Sequence, residues 1–91
     1  MRTKTVFTRT INNAVADDGK MAKAVLAALG RFARHDWGNL CDEDKAYNDA
    51  DLKHRDGHVM GKYETPHGNI YVNRDFYPDF DLVTVVFCNE W

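Results

Sequence analysis

The apolar period of this chain changes once, near residue 58, and that change limits what the chain can fold into. Upstream, Ala22, Val25, Leu26, Leu29, Phe32 and Ala33 recur at the spacing of a helical stripe. Downstream, Val59, Gly61, Tyr63 and Thr65 alternate with Met60, Lys62 and Glu64, the period of a half-buried strand. Helices followed by a strand meander predict an α+β fold, with N-terminal helices packed on one face of a small antiparallel sheet. Ninety-one residues predict one domain spanning 1–91, since chains divide only beyond roughly 250 residues.

Local signals fill in this outline. Thr10 is placed to cap a short helix over Ile11 to Ala16, and Asp17 or Asp18 to cap a longer one from Gly19 to Arg34. Asp42 reads as the cap of a third helix with acids in its first turn, running to about His54 and ended by Gly57. Its apolar stripe, Ala46, Tyr47, Ala50 and Leu52, is only partial. Pro66-His67-Gly68 predicts a tight turn into a strand over Asn69 to Asn73. Asp75 to Asp81, with Pro78 and three acids, predicts a loop before a strand over Leu82 to Cys88. Thr3 to Thr8 could add a fourth strand beside this three-stranded meander. Trp37, Phe32, Tyr63, Tyr71 and Phe87 are the expected core aromatics.

The longest apolar run, Ala24 to Leu29, falls far short of the roughly 20 residues a membrane helix needs. The basic opening Met1 to Phe7 lacks the apolar stretch of about 7 to 15 residues of a secretory signal, so a cytoplasmic location is expected. Cys41 and Cys88 form no close pair and define no disulfide framework. The net charge of −2 conceals a split: residues 1–34 carry seven bases and two acids, residues 35–91 five bases and twelve acids. The acids gather in Asp42, Glu43, Asp44, Asp49 and Asp51, and again in Asp75, Asp79 and Asp81. Either the halves neutralise each other on a solvated surface, or the acidic face presents carboxylates to a groove that normally holds phosphates. Seven bases spread over 34 positions make no compact cluster, so direct nucleic-acid binding is not expected.

Three constellations remain. Around His35-Asp36-Trp37-Gly38 the chain reads as a helix exit, with Gly38 at positive φ, Trp37 packed back and the His35 and Asp36 side chains satisfying local backbone groups; a His35, Asp36 and Cys41 site is the catalytic alternative. His54 and His58 have the spacing of two metal ligands on a helix, but Asp56-Gly57 between them should break that helix, and no zinc signature supports a metal. Asp75-Phe76-Tyr77-Pro78-Asp79-Phe80-Asp81 interleaves aromatics with acids. It is either an irregular connection or an anchor for a protein partner, with Phe76, Tyr77 or Phe80 in a pocket. No phosphate loop or nucleophile elbow occurs, so neither an enzyme nor a cofactor is expected.

The order Thr8-Arg9-Thr10, Asn13-Ala14-Val15-Ala16, Leu29-Gly30-Arg31-Phe32, His35-Asp36-Trp37-Gly38, Asp42-Glu43-Asp44-Lys45 and Asn48-Asp49 resembles small proteins carried on bacterial conjugative elements and prophages. The likeness continues through Gly61 to Pro66, Thr84 to Phe87 and Glu90-Trp91, and omits the acidic segment Asp75 to Asp81. That setting implies a non-catalytic inhibitor of a bacterial defence effector, anti-CRISPR first and anti-restriction second. Its partner surface would be Asp42, Glu43, Asp44, Asp49, Asp51, Asp75, Phe76, Tyr77, Asp79, Phe80 and Asp81. The alternative it implies is an accessory of the element's own replication or transfer machinery.

Overall fold

The computed structural model describes residues 2–55 and 58–91. Strand β1 (Arg2–Phe7) leads into helices α1 (Arg9–Asp17), α2 (Gly19–Ala33) and α3 (Asp42–His54). Strands β2 (His58–Tyr63), β3 (Ile70–Phe76) and β4 (Phe80–Phe87) follow, then a 3-10 turn over Cys88–Glu90. The sheet order is β1-β4-β3-β2. β2, β3 and β4 form the antiparallel meander. The sheet as a whole is mixed, because β1 joins β4 in parallel, with Arg2 beside Phe80 and Phe7 beside Val85. That is the geometry expected when helices intervene between paired strands, since a parallel neighbour needs a crossover rather than a hairpin.

α1 and α2 cover one face of the sheet. There Ile11, Met21, Val25, Ala28 and Phe32 meet Val59, Tyr63, Ile70, Val72, Val83 and Val85 in a single core. The α2 stripe is rotated from the expected one: Met21, Val25, Ala28 and Phe32 are buried, whereas Leu26 and Ala33 are exposed. Alanines on several faces of α2 let more than one stripe look plausible, and the sheet selects the one that reaches β3. Thr8 rather than Thr10 caps α1, accepting from the Ile11 N–H, and Thr10 lies within the first turn, bonded to Glu90. Asp18 caps α2 through the Lys20 N–H at 2.9 Å. His67, in the β2–β3 turn, bonds the other Asp18 oxygen at 2.9 Å and so ties that turn to the helical layer.

The opposite face carries Met60, Lys62, Tyr71, Asn73, Leu82, Thr84 and Val86, and no helix among the described residues covers it. Tyr71, expected in the core, lies on this face with Trp91 edge-on at 6.0 Å. Asn73 sits at its centre, buried by its neighbours, its amide without a hydrogen-bond partner among the described residues. The expected loop Asp75 to Asp81 is mostly strand. β3 runs on through Asp75 and Phe76, β4 starts at Phe80, and Tyr77-Pro78-Asp79 is the whole connection. Gly57, expected to end α3, lies outside the described residues; the last described cap is Arg55, in the left-handed region at φ 50°.

Candidate protein-binding surface

The exit of α2 builds the platform on which α3 rests. His35 turns the chain at φ 64°, and Asp36 accepts from Arg31 Nε at 2.8 Å and from the Gly38 N–H at 3.1 Å. Trp37 is buried edge-on to Phe32, 5.3 Å between centroids, with the His35 ring stacked on it at 5.5 Å. The Tyr63 hydroxyl donates to the Asp36 carbonyl at 2.8 Å, and burial pushes this phenol well above its ordinary value. Gly38 bridges Lys62 in β2: the Lys62 N–H donates to the Trp37 carbonyl at 3.1 Å, and the Asn39 N–H to the Lys62 carbonyl at 2.8 Å. Asp36, Trp37 and Gly38 therefore hold the helix exit as the first of the two sequence readings had it, whereas the His35 side chain stacks on Trp37 and makes no hydrogen bond to the local backbone among the described residues. Cys41 is exposed at the start of α3 and makes no hydrogen bond to His35 or Asp36 among the described residues.

α3 docks through polar clamps, with Leu52 as its one partly buried apolar contact with the core among the described residues. Cys41 stands at its N-cap, one residue before the expected Asp42, and offers no side-chain bond. The helix buries one residue, Asn48, 7% exposed. Its amide donates to the Met60 carbonyl at 2.7 Å and accepts from the Met60 N–H at 3.1 Å. The side chain thus acts as one residue of an extra strand on the outer edge of β2. Together with the Lys62 bridge it closes an edge that would otherwise pair indiscriminately. The Trp37 indole N–H adds a bond to Asp49 at 2.9 Å. Arg55, just past the helix, grips Asp81 at 2.8 Å, lies 5.0 Å over the Phe76 ring and reaches the Tyr77 carbonyl at 3.5 Å.

These contacts divide the eight candidate acids. Asp81 is 7% exposed and neutralised by Arg55, with Arg74 at 4.0 Å, so it is an internal anchor and not part of a partner surface. Asp49 is engaged by the indole, and Asp51 and Asp75 are half-buried. Asp42, Glu43 and Asp44 are fully presented in the first turn of α3, and Asp79 at the hairpin tip, with no ion-pair partner among the described residues. The α3 turn and the hairpin lie at opposite ends of a helix about 18 Å long, so they form two patches rather than one. Phe76 is half-buried under Arg55, while Tyr77 is exposed and stacked on Phe80 at 4.9 Å.

Tyr47, assigned by sequence to a buried stripe, is 63% exposed. It falls three and four residues after Asp44 and Glu43 and four before Asp51, so these share one helical face. A large amphipathic ring framed by carboxylates suits a contact with a basic protein surface. Asn48 and Arg55 were also missed, since neither a buried amide pairing a strand edge nor a long-range arginine has a local sequence signature. Among the described residues no group of three His, Cys, Asp or Glu side chains could hold a metal ion, and His54 and His58 fall on different elements. No helix among the described residues is long and apolar enough to cross a membrane.

Two carboxyls titrate below their ordinary value. Asp36 is lowered by its bond to Arg31 and then by the Gly38 N–H, and Asp18 by its bond to His67 and then by the Lys20 N–H. A lowered folded-state value means that the stability these groups contribute is complete above the ordinary aspartate value of 3.8 and is lost as pH falls below it. Urea midpoints should accordingly drop between about pH 5 and pH 2.5, and drop less steeply in Asp18→Asn/Asp36→Asn. Equal slopes would show that these pairs contribute nothing to acid sensitivity.

Compared with protein-family models, with curated proteins and with solved structures, the chain matches none.

Proposed function

We propose that this protein is a non-catalytic inhibitor from a mobile genetic element that binds a bacterial defence effector, a CRISPR complex first and a restriction enzyme second. The observation that carries this reading is the exposed cluster Asp42, Glu43 and Asp44 around the first turn of α3, without ion-pair partners among the described residues, on a helix fixed by Asn48 and Trp37. A groove that binds nucleic acid is lined with Lys and Arg and attracts any dense anion array. Carboxylates on a clamped helix bind such a groove with less ordering cost than the same acids on a mobile tail. Tyr47 supplies the apolar anchor and the acids the rim, while Asp79 with Tyr77 offers a second contact at the hairpin tip. Asp81 takes no part in contact.

The test is a plating assay in cells armed in turn with a panel of CRISPR and restriction systems. Expression of the protein should restore phage growth against one of them, and Tyr47→Ala with Asp42→Asn/Glu43→Gln/Asp44→Asn should abolish the rescue. Failure against every system would contradict the inhibitor reading and favour an accessory of the element's own replication or transfer machinery.

A further inference from the structure

The two edges of the sheet are treated differently. The β2 edge is closed by Trp37, Asn39 and the Asn48 amide, whereas all six residues of β1 are exposed and, among the described residues, nothing pairs with its outer side. The Thr8 N–H donates inward to the Val85 carbonyl at 3.2 Å. Because backbone groups alternate along a strand, Arg2, Lys4 and Val6 also face β4, and the N–H and C=O groups of Thr3, Thr5 and Phe7 point outward. Three residues thus offer unsatisfied ladder positions in register.

The side chains beside this ladder are selective. Arg2 and Lys4 lie level with Phe80 and Leu82, on the face away from the helices, two residues apart and so on the same side of the strand. Neither has an ion-pair partner among the described residues. With Thr3, Asp79 and Phe80 they line a shallow hollow. Farther along the strand, Val6 and Phe7 are exposed apolar groups on opposite faces. From this geometry we infer that β1 receives an extended acidic segment of a partner protein as a fifth, antiparallel strand. The segment carries carboxylates at alternate positions opposite Arg2 and Lys4, and apolar residues opposite Val6 and Phe7.

A second copy of the chain fits this edge less well. A two-fold pairing of β1 with itself that keeps both helical layers on one side sets even-numbered residues opposite even-numbered ones. Either of the two fullest overlaps then brings Lys4 of the two copies directly opposite or diagonally adjacent, within about 8 Å, and like charges so placed destabilise a strand pair. An acidic strand converts the same contacts into cross-strand ion pairs. The inference is separable from the α3 contact of the inhibitor reading, because β1 lies at the opposite edge of the sheet from β2, on which α3 rests; the two share only Asp79, which lines the hollow beside Arg2 and Lys4.

The probe is a capped synthetic peptide, Ile-Val-Thr-Glu-Thr-Glu, compared with the same peptide carrying Lys in place of Glu. The Glu peptide should bind at least about tenfold more tightly and should protect the Thr3, Thr5 and Phe7 amides from exchange. Arg2→Glu/Lys4→Glu, both on the surface, should invert the preference. Thr5→Pro removes one outward N–H without costing an internal bond, and should weaken binding at least about tenfold while leaving the far-ultraviolet spectrum unchanged. If Thr5→Pro disturbs the fold, the charge reversal alone decides. Equal affinity for the two peptides would overturn the inference, as would absence of protection at those amides or a dimer of the free protein that protects them.

Discussion

Gly38→Ala is expected to lower the unfolding free energy by about 3 to 5 kcal/mol, a large share of the roughly 5 to 14 kcal/mol available to a chain of this length. Gly38 has φ +74°, and an added Cβ would collide with the Lys62 carbonyl oxygen and lie 2.9 Å from the Tyr63 ring. The first is a backbone atom already receiving the Asn39 N–H, so it cannot retreat without opening the bridge between the helix exit and β2. Opening it forfeits two hydrogen bonds at about 1 kcal/mol each and loosens Trp37, on top of about 1 kcal/mol for the left-handed backbone. Gly68→Ala separates these effects, for Gly68 also has positive φ but nothing within 4 Å of an added Cβ. Urea titration should show Gly38→Ala exceeding Gly68→Ala by at least about 2 kcal/mol. Equal losses would mean that the bridge to Lys62 contributes no stability.

Asn48→Ala should release α3 while the rest of the domain stays folded. The substitution deletes both bonds to Met60 and leaves that residue's N–H and C=O at an open edge, a cost of about 2 to 3 kcal/mol. α3 has no other fully buried residue and only Leu52 partly buried against the core, and a polar helix of 13 residues does not persist alone in water. Amide exchange within α3 should therefore accelerate about 30- to 150-fold, with little change at Val72 and Val85 in the central strands. The same variant should lose rescue in the plating assay although every surface acid is still present. Uniform acceleration across the whole domain would show that α3 belongs to the same cooperative unit as the core.

The order of elements was legible because each rests on short-range signals. The alternation of Val59, Gly61 and Tyr63 survives intact as the buried side of β2, and the helix exit at Asp36 to Gly38 behaves as its residues imply. What was not legible depends on partners distant in sequence. The strand character of Asp75, Phe76, Phe80 and Asp81 is hidden by acids and a proline, and it becomes possible because Arg55 and Arg74 neutralise Asp81. The expected helical stripe includes Leu26 and leaves out Met21, and packing against the sheet reverses that choice. β1 was readable as a strand, yet its parallel pairing with β4 follows from the topology rather than from its own residues. In the candidate site, Asp42, Glu43 and Asp44 were found by composition, but Tyr47 emerged only once the clamps had fixed which side of α3 faces out.

The most direct test of the α3 surface is the affinity of the purified protein for the effector that the plating assay selects, measured for wild type and for Asp42→Asn/Glu43→Gln/Asp44→Asn. Three carboxylates paired with bases of the groove, at about 1 kcal/mol each, predict binding about 100-fold weaker in the variant, and a wild-type affinity that falls more steeply with added salt. Unchanged affinity and an unchanged salt dependence in a folded variant would contradict the account.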